Sequence, residues 1–308
     1  MSDIFSHQET RELLSHKKVV IIGDENTRGL YKDIVCLLNK NELLAQAELR
    51  AKLEPSFLND RLIKGPSRVK KDRDYKEERE FRDLVNHQHV DFFFVTRCYD
   101  QYFEEKIMKN FKEKLPDVVI MNSCLWDITR WGPNGVDAYK ANMRKLMTQL
   151  KATLDENCLF VWTTSMPISR DMQEGLLISD VKFLPYQLRF EIMEANLFAW
   201  DTITRNGFDV LDLHYYMQMN ILRRREDGIS WCNTAVRHVT NYVLTHIALA
   251  WGVKLPGRIK SKELEYVSRY PIHPEFPPES DKQEPTEETP TSKKKKLLRP
   301  MRRAGDRR

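Results

Sequence analysis

Cysteine is scarce in this chain, and the cysteines that occur lie far apart. There are five in 308 residues, at positions 36, 98, 124, 158 and 232. No two of them form a Cys-x-x-Cys pair, so their spacing indicates neither a zinc site nor a disulfide framework. Cys36 and Cys158 lie in apolar runs, which is typical of buried thiols. The cysteine pattern therefore favours a reducing compartment.

Long apolar runs are missing as well. No segment reaches the roughly 18–20 uncharged apolar residues that a membrane-spanning helix needs. The opening stretch, MSDIFSHQETRELLSHKK, carries early acids and lacks the apolar block of a signal peptide. We expect a protein that is not exported and needs no membrane, located in the cytoplasm, the nucleus or both.

Most of the chain also lacks an excess of positive or negative charge, although the formal net charge is +5. The stretch TSKKKKLLRPMRRAGDRR (291–308) holds nine basic residues and one acid, which leaves 41 basic and 44 acidic residues in the first 290. The body of the chain is therefore not expected to bind nucleic acid. The basic end could bind an import receptor or an acidic surface, or could simply be solvated.

Composition divides the chain into two regions. Residues 1–256 contain the apolar segments, and residues 257–308 are rich in proline and charge with few apolar anchors. A segment of the second kind cannot bury enough apolar surface to offset the entropy lost on ordering. The sequence predicts one folded domain over 1–256 and a disordered tail over 257–308.

Within the first region, short apolar runs alternate with longer segments of helical spacing. The runs are VVII (19–22), VDFFFV (90–95), VVIM (118–121), CLFVW (158–162) and FDVLDL (208–213). Helical spacing marks residues 30–38, 139–150 and 236–250. This alternation predicts an α/β protein with three layers, α/β/α, around a roughly five-stranded parallel sheet. The highly charged segment SRVKKDRDYKEEREFRD (67–83) is expected to form an exposed loop or hairpin, either solvated or binding a partner.

Ligands of open α/β sheets bind outside the carboxyl ends of the strands, so the residues that follow the predicted strands are the candidate site. These are Gly23, Asp24, Glu25, Asn122, Ser123, Cys124, Thr163, Thr164, Ser165, Asp212 and His214. Asp227 and Ser230 lie farther along, where the last predicted helix begins.

Five stretches make the resemblance to a known family specific: GDENTRGLYKD (23–33), DVVIMNSCLWDITRWGPN (117–134), FDVLDLH (208–214), DGISW (227–231) and AWGVKLP (250–256). Together they resemble the PC-esterase family, a branch of the GDSL/SGNH acyl hydrolases, over nearly all of 1–256. The resemblance implies a flavodoxin-like topology, an acyl-esterase ancestry and no metal or other cofactor.

The same resemblance implies a catalytic triad, which this chain matches only in part. The family's Gly-Asp-Ser motif corresponds to Gly23, Asp24 and Glu25, so a glutamate stands at the position of the nucleophile. Its Asp-x-x-His motif corresponds to Asp227 and Ser230, so a serine stands at the position of the base. The asparagine that donates to the oxyanion corresponds to Asn122.

These replacements remove both reacting groups. Acyl transfer by this route needs a hydroxyl or thiol nucleophile and an imidazole that takes and returns its proton. A carboxylate at position 25 would repel the developing oxyanion, and a serine hydroxyl accepts no proton near pH 7. The sequence therefore predicts a degenerate triad.

Several alternatives remain at these positions. His214 could act as a relocated base with Ser123 or Ser165 as nucleophile. Asp24, Glu25 and Asp227 could converge on a hard cation, although no metal is expected. Glu25 and Asp227 could also act as a carboxylate pair of the kind glycosidases use.

Three functions compete at the level of the whole chain. The favoured one is a pseudoenzyme that binds a protein partner or a small acyl- or ester-like ligand in a site-shaped pocket. The second is an active esterase that uses rearranged residues such as His214. The third is a scaffold whose function lies in the basic tail.

Overall fold

The computed structural model describes residues 2–52, 54–65, 73–170, 172 and 186–257. The chain divides into two units, Met1–Ile272 and His273–Arg308, and the whole of the second lies outside the described residues. The predictions of a disordered tail and of a function for its basic end therefore also lie outside them. No helix in the described ranges is long and apolar enough to cross a membrane.

The described part of the chain builds one seven-stranded sheet. Its strands are β1 (Lys18–Gly23), β2 (Arg61–Lys64), β3 (Glu78–Asp83), β4 (Gln88–Phe94), β5 (Val118–Met121), β6 (Leu159–Thr163) and β7 (Asp209–Leu211). They lie in the order β2-β3-β4-β1-β5-β6-β7.

The five predicted strands are β4, β1, β5, β6 and β7, and all four of their pairings are parallel. Numbered by themselves along the chain they lie in the order 2-1-3-4-5, which is the flavodoxin-like order. The predicted size of the sheet was too small, because β3 pairs antiparallel with β4, and β2 pairs antiparallel with β3. The sheet is therefore mixed, with an antiparallel extension at one edge.

Helices cover both faces of the sheet. They are α1 (His7–Leu13), α2 (Glu25–Asn39), α3 (Gln46–Arg50), α4 (Met108–Glu113), α5 (Leu125–Arg130), α6 (Gly135–Thr153), α7 (Leu188–Arg205), α8 (Leu213–Met217) and α9 (Asn233–Ala250). A π-helical turn, Phe103–Ile107, leads into α4, and a 3-10 segment, Gln218–Arg223, follows α8. The three predicted helical segments lie in α2, α6 and α9.

Side-chain alternation along β1 shows how the three layers form. Val19 and Ile21 belong to a hydrophobic core with residues of α2 and α9, whereas Val20 and Ile22 belong to a second core with residues of α4, α6 and α7. Successive side chains of a strand point to opposite faces, so a continuous apolar run can fill two cores. The three-layer α/β/α prediction is confirmed.

The charged segment 67–83 is only partly as predicted. Residues 66–72 lie outside the described ranges, and β3 does form a hairpin with β4. However, Tyr75, Glu77, Arg79 and Phe81 are buried, so the expectation of an exposed segment is wrong for this half. The charges are buried because they neutralise each other: Arg79 Nε donates to Asp60 Oδ2 at 2.8 Å, and its Nη1 lies 3.4 Å from Glu77 Oε1.

Candidate active-site cleft

The site begins where β1 ends, at a glycine with no room for a side chain. A Cβ atom on Gly23 would lie 2.4 Å from Thr27 Oγ1 and 2.9 Å from the backbone oxygen of Asn122. Real Cβ contacts are not that short, so α2 can start this close to β5 only because residue 23 is glycine.

Asp24 starts α2 by capping its first turn. Its Oδ1 accepts hydrogen bonds from the backbone N–H groups of Asn26 at 2.9 Å and Thr27 at 3.2 Å. These bonds satisfy two of the helix-terminal donors that have no partner within the helix. Burial, together with the neighbouring charge of Glu25, raises the pKa of Asp24 to about 6. Asp24 therefore has a structural role at this sheet edge.

Glu25 is the first residue of α2, and its side chain contacts another element. Its Oε2 accepts a hydrogen bond from Trp126 Nε1 at 2.8 Å. Trp126 is buried on α5, and the Arg130 guanidinium lies 5.2 Å from its ring centroid. The contact between Trp126 and Glu25 was not predicted from the sequence. The available signal was the position of Trp126 just after β5, at the same sheet edge as Glu25.

Asp227 organises the loop before α9. Its Oδ1 accepts hydrogen bonds from the backbone N–H groups of Ile229 at 2.9 Å and Ser230 at 2.8 Å, and Arg50 Nη2 lies 3.9 Å from its Oδ2. Burial acts to raise the pKa of Asp227, but the hydrogen bonds from Ile229 and Ser230 outweigh it and the pKa is lowered. The Asp227 carboxylate therefore holds the loop at Ser230.

Glu25, Asp227 and Ser230 line one cleft with a volume of about 360 Å³. The rest of its wall comes from α2, α3, α5, the start of α9 and the loops that follow α3 and precede α9: Asn26, Arg28, Gly29, Gln46, Leu49, Arg50, Lys52, Leu125, Trp126, Arg130, Ile229, Trp231 and Val236. The structure thus brings together Asp227 and the two positions, 25 and 230, that the sequence resemblance assigns to the nucleophile and the base. None of these lining residues, all from the described part of the chain, is a histidine.

Asn122 and Ser165 line a neighbouring and much smaller cavity, of about 30 Å³, which also includes Asp24. Asn122 Nδ2 donates to the backbone oxygen of Thr163 at 2.7 Å and lies 3.4 Å from Ser165 Oγ. Asn122, which the sequence resemblance assigns to the oxyanion site, is therefore hydrogen-bonded to strand β6. It lies next to the main cleft.

His214 lies in a third cavity, together with Asp212 and Trp200. Its Nδ1 is 2.8 Å from the backbone oxygen of Ser165 and 3.2 Å from Asn196 Nδ2. The ring is therefore beside Ser165, and the polar contacts of its Nδ1 are with a backbone oxygen and a side-chain amide.

The hydroxyl of Ser123, the other candidate nucleophile, is hydrogen-bonded within a buried polar cluster. Its hydroxyl donates to the carboxylate of Asp127, which also accepts from the backbone N–H of Cys98 at 3.0 Å. Burial raises the pKa of Asp127 to about 6. Ser123 and Asp127 both lie at less than a tenth of full exposure.

One group of possible metal ligands lies among the described residues, away from this cleft. Glu80, His89 and Asp91 place ligand atoms within 4.8 Å of one another, on β3 and the first half of β4. His89 Nε2 contacts Asp91 Oδ1 at 2.8 Å, and Arg61 and Arg82 form ion pairs with Glu80. The carboxylate of Glu80 is therefore already paired with two arginine side chains.

No family model matches the sequence. Among curated proteins, PC-esterase domain-containing protein 1A of Homo sapiens is 38% identical over 256 residues, covering 82% of this chain and 56% of that protein. The human protein 1B is 38% identical over 289 residues, covering 90% of this chain and 65% of that protein. This chain thus spans between about half and two thirds of the length of these relatives.

Solved structures with similarity to the chain include two bacterial enzymes. The acetylxylan esterase Axe2 from Geobacillus stearothermophilus is 12% identical with a TM-score of 0.45, covering 78% of this chain and 97% of that one. The lipase/acylhydrolase from Enterococcus faecalis is 13% identical with a TM-score of 0.44, covering 78% and 98%. On the sequence relatives, the chain belongs to the PC-esterase family, in the group of PC-esterase domain-containing proteins 1A and 1B.

Proposed function

We propose that this chain is a catalytically inactive member of its family that acts by binding, with the Glu25 cleft as the binding site. The observation that carries this is the side chain at the nucleophile position. Glu25 presents a carboxylate held by the indole N–H of Trp126, in a cleft whose described lining residues include no histidine.

The chemistry of the cleft supports binding rather than hydrolysis. A tetrahedral intermediate places negative charge next to the attacking atom, and the carboxylate of Glu25 would raise the energy of that charge. Ser230 lacks a basic nitrogen, and its backbone N–H is bound to Asp227. Ser230 therefore cannot perform the proton transfer that the serine mechanism requires, and the charge of Glu25 opposes the oxyanion.

An active hydrolase that uses His214 is the competing function. Its supporting observation is that the ring lies beside Ser165, with Nδ1 2.8 Å from the backbone oxygen of that residue. A base must reach the hydroxyl proton of the nucleophile, and this contact is with the carbonyl instead. His214 also lines a different cavity from Glu25.

The test is hydrolysis of p-nitrophenyl acetate by the full-length chain, compared with the double variant Glu25→Ser, Ser230→His. The variant Glu25→Ala, Ser230→His is the matched control, because it has the imidazole but no hydroxyl. We expect the natural chain to equal this control. We expect the serine-containing variant to exceed it by about 10²-fold or more, the usual range of general acid–base catalysis.

Hydrolysis by the natural chain above the control rate would overturn the proposed function. Loss of that activity in His214→Ala would then assign the reaction to the relocated base. Retention of activity in His214→Ala with loss in Glu25→Gln would instead indicate that Glu25 reacts directly.

A further inference from the structure

We propose that the exposed side of α7 and the neighbouring segment 214–224 form a dimer interface that binds a second copy of this chain. The proposal does not depend on the proposed function, because none of the side chains assigned to the interface lines the Glu25 cleft. Apolar spacing, exposed area and charge each support it.

Helix α7 carries two apolar stripes, although one is enough to pack it on the rest of the fold. The first is buried in the core that α7 shares with α6, and consists of Leu188, Ile192, Ala195, Ala199 and Ile203. The second is exposed, and consists of Phe190, Met193, Leu197 and Trp200. A surface helix of a globular protein normally carries polar residues opposite its buried stripe. The exposed stripe is therefore suited to pack against a further element.

The spacing of the exposed stripe is that of a helix–helix interface. Its residues follow one another at intervals of three, four and three positions, which is the a and d pattern of paired helices. Two identical helices can pair through such a stripe, because each presents the same protruding side chains and the same gaps between them. A second α7 therefore fits this surface.

A groove lies beside the exposed stripe. Its cavity of about 400 Å³ is lined by Met193, Leu197 and Trp200 of α7 together with Asp212 and His214. A ridge of side chains next to a groove can be complementary to itself, since a two-fold axis places the ridge of each copy against the groove of the other.

The segment 214–224 adds apolar surface next to this groove. Its first residue contacts α7, because His214 Nδ1 lies 3.2 Å from Asn196 Nδ2. Its last residue is near the start of α7, because burial and the neighbouring charge of Arg189 lower the pKa of Arg224. Between these two points the segment exposes Tyr215, Met219 and Leu222.

The exposed apolar area is large enough for a stable dimer. The seven side chains of the stripe and the segment are between 49% and 87% exposed, which amounts to roughly 900 Å² per copy if each full side chain presents about 150–250 Å². A standard protein–protein interface takes about 800 Å² from each partner. The largest apolar patch of a typical monomer is only about 300–600 Å².

Charge favours an antiparallel pair. No carboxylate among the described residues offsets the effects of burial and Arg189 on the pKa of Arg224, so two cations lie together at one end of the stripe. Parallel pairing would bring these cations of both copies together, whereas antiparallel pairing separates them. We therefore expect Phe190 of one copy to contact Trp200 of the other, because the stripe is then paired with itself in reverse.

The experiment is sedimentation equilibrium of the full-length chain between about 1 and 100 µM, because interfaces of this size have dissociation constants from micromolar downward. We expect the measured mass to rise with concentration to twice that of the 36.5 kDa chain.

Leu197→Glu tests the interface. A two-fold interface carries the substitution twice, so we expect the dissociation constant of the dimer to rise at least about 100-fold. Met219→Glu provides an independent variant on the neighbouring segment and should also weaken the dimer. Leu249→Glu is the matched control, because Leu249 is 62% exposed on α9 and Leu197 is 68% exposed on α7. The control should leave the dimer unchanged, and circular dichroism should show that all three variants are folded.

Engineered cysteines test the arrangement of the two helices. In an antiparallel dimer, positions 190 and 200 of the two copies are adjacent, whereas the two copies of position 190 are about 15 Å apart along the helix axis. Oxidation of dimeric samples should therefore cross-link the double variant Phe190→Cys, Trp200→Cys and neither single variant. The natural chain, oxidised in the same way, gives the background from its own cysteines.

A chain that stays monomeric up to about 100 µM would overturn the assignment of a second copy, since a standard interface gives at least micromolar affinity. So would a dimer that Leu197→Glu and Met219→Glu leave as tight as before. A monomer that binds phosphatidylserine vesicles, and loses them in Leu197→Glu, would also overturn it and would assign the surface to lipid. Cross-linking of Phe190→Cys alone would overturn the antiparallel arrangement. None of these outcomes decides the proposed function, which the ester assay tests separately.

Discussion

The buried ion pair between Arg28 and Glu77 allows a quantitative prediction. Arg28 Nη1 lies 2.8 Å from Glu77 Oε2, and both side chains are almost fully buried. If the Glu77 carboxylate is removed, the remaining polar contact of Arg28 is with the Tyr75 hydroxyl at 3.4 Å. Arg79, which also lies near Glu77, still has its ion pair with Asp60. Replacing Glu77 therefore leaves one buried positive charge uncompensated.

The expected cost follows from this geometry. Breaking a buried pair by removing one partner costs about 3–5 kcal/mol. Glu77→Gln keeps the side-chain shape and one acceptor oxygen, so we expect a loss near the lower limit, about 3 kcal/mol in the free energy of unfolding. The double variant Arg28→Met, Glu77→Gln should recover part of this loss, because it also removes the unpaired charge.

Urea unfolding of the full-length chain, followed by circular dichroism, measures these differences. Glu113→Gln is the matched control: Glu113 pairs with Lys109 at 3.7 Å on the surface, so its removal should cost less than about 1 kcal/mol. The reasoning fails if Glu77→Gln lies within about 1 kcal/mol of the natural chain. It also fails if the double variant is no more stable than Glu77→Gln alone.

Two further predictions concern the edge of the sheet where the cleft lies. Gly23→Ala would place a Cβ 2.4 Å from Thr27 Oγ1, so urea unfolding should show a loss of about 1–3 kcal/mol, and a variant as stable as the natural chain would contradict the close approach. Burial raises the pKa of Asp127 from 3.8 to about 6, so its contribution to stability is complete below about pH 4 and is lost as the pH rises through 6. Asp127→Asn should therefore gain stability relative to the natural chain between pH 4 and pH 7, by up to about 3 kcal/mol, and parallel pH profiles from urea unfolding would argue against it.

The parallel part of the fold could be predicted from the sequence because each strand is short, apolar and bounded by polar or turn-forming residues. Once the strands are assigned as parallel, their common direction places Asp24 and Asn122 at the same edge of the sheet, because both residues follow the carboxyl end of a strand. Glu25 and Ser230, which the sequence singled out, line one cleft.

The antiparallel edge and the contacts of Glu25 could not be predicted in this way. Charged residues such as Arg79 normally indicate exposure, and only their partners reverse that expectation. Those partners are remote in sequence: Arg79 pairs with Asp60, and Glu25 accepts from Trp126, which is 101 positions away. Local patterns contain no information about such pairs, because tertiary packing decides them.

At the start of α2, the residue that caps the helix is not the residue at position 25. Asp24 supplies the cap that the helix needs, and the side chain of Glu25 takes no part in it. An exchange between serine and glutamate at position 25 therefore leaves the first turn of the helix intact. Evolution can therefore change the side chain at position 25 without removing the cap that starts the helix. The same independence makes position 25 a suitable place for directed evolution to install new side-chain chemistry.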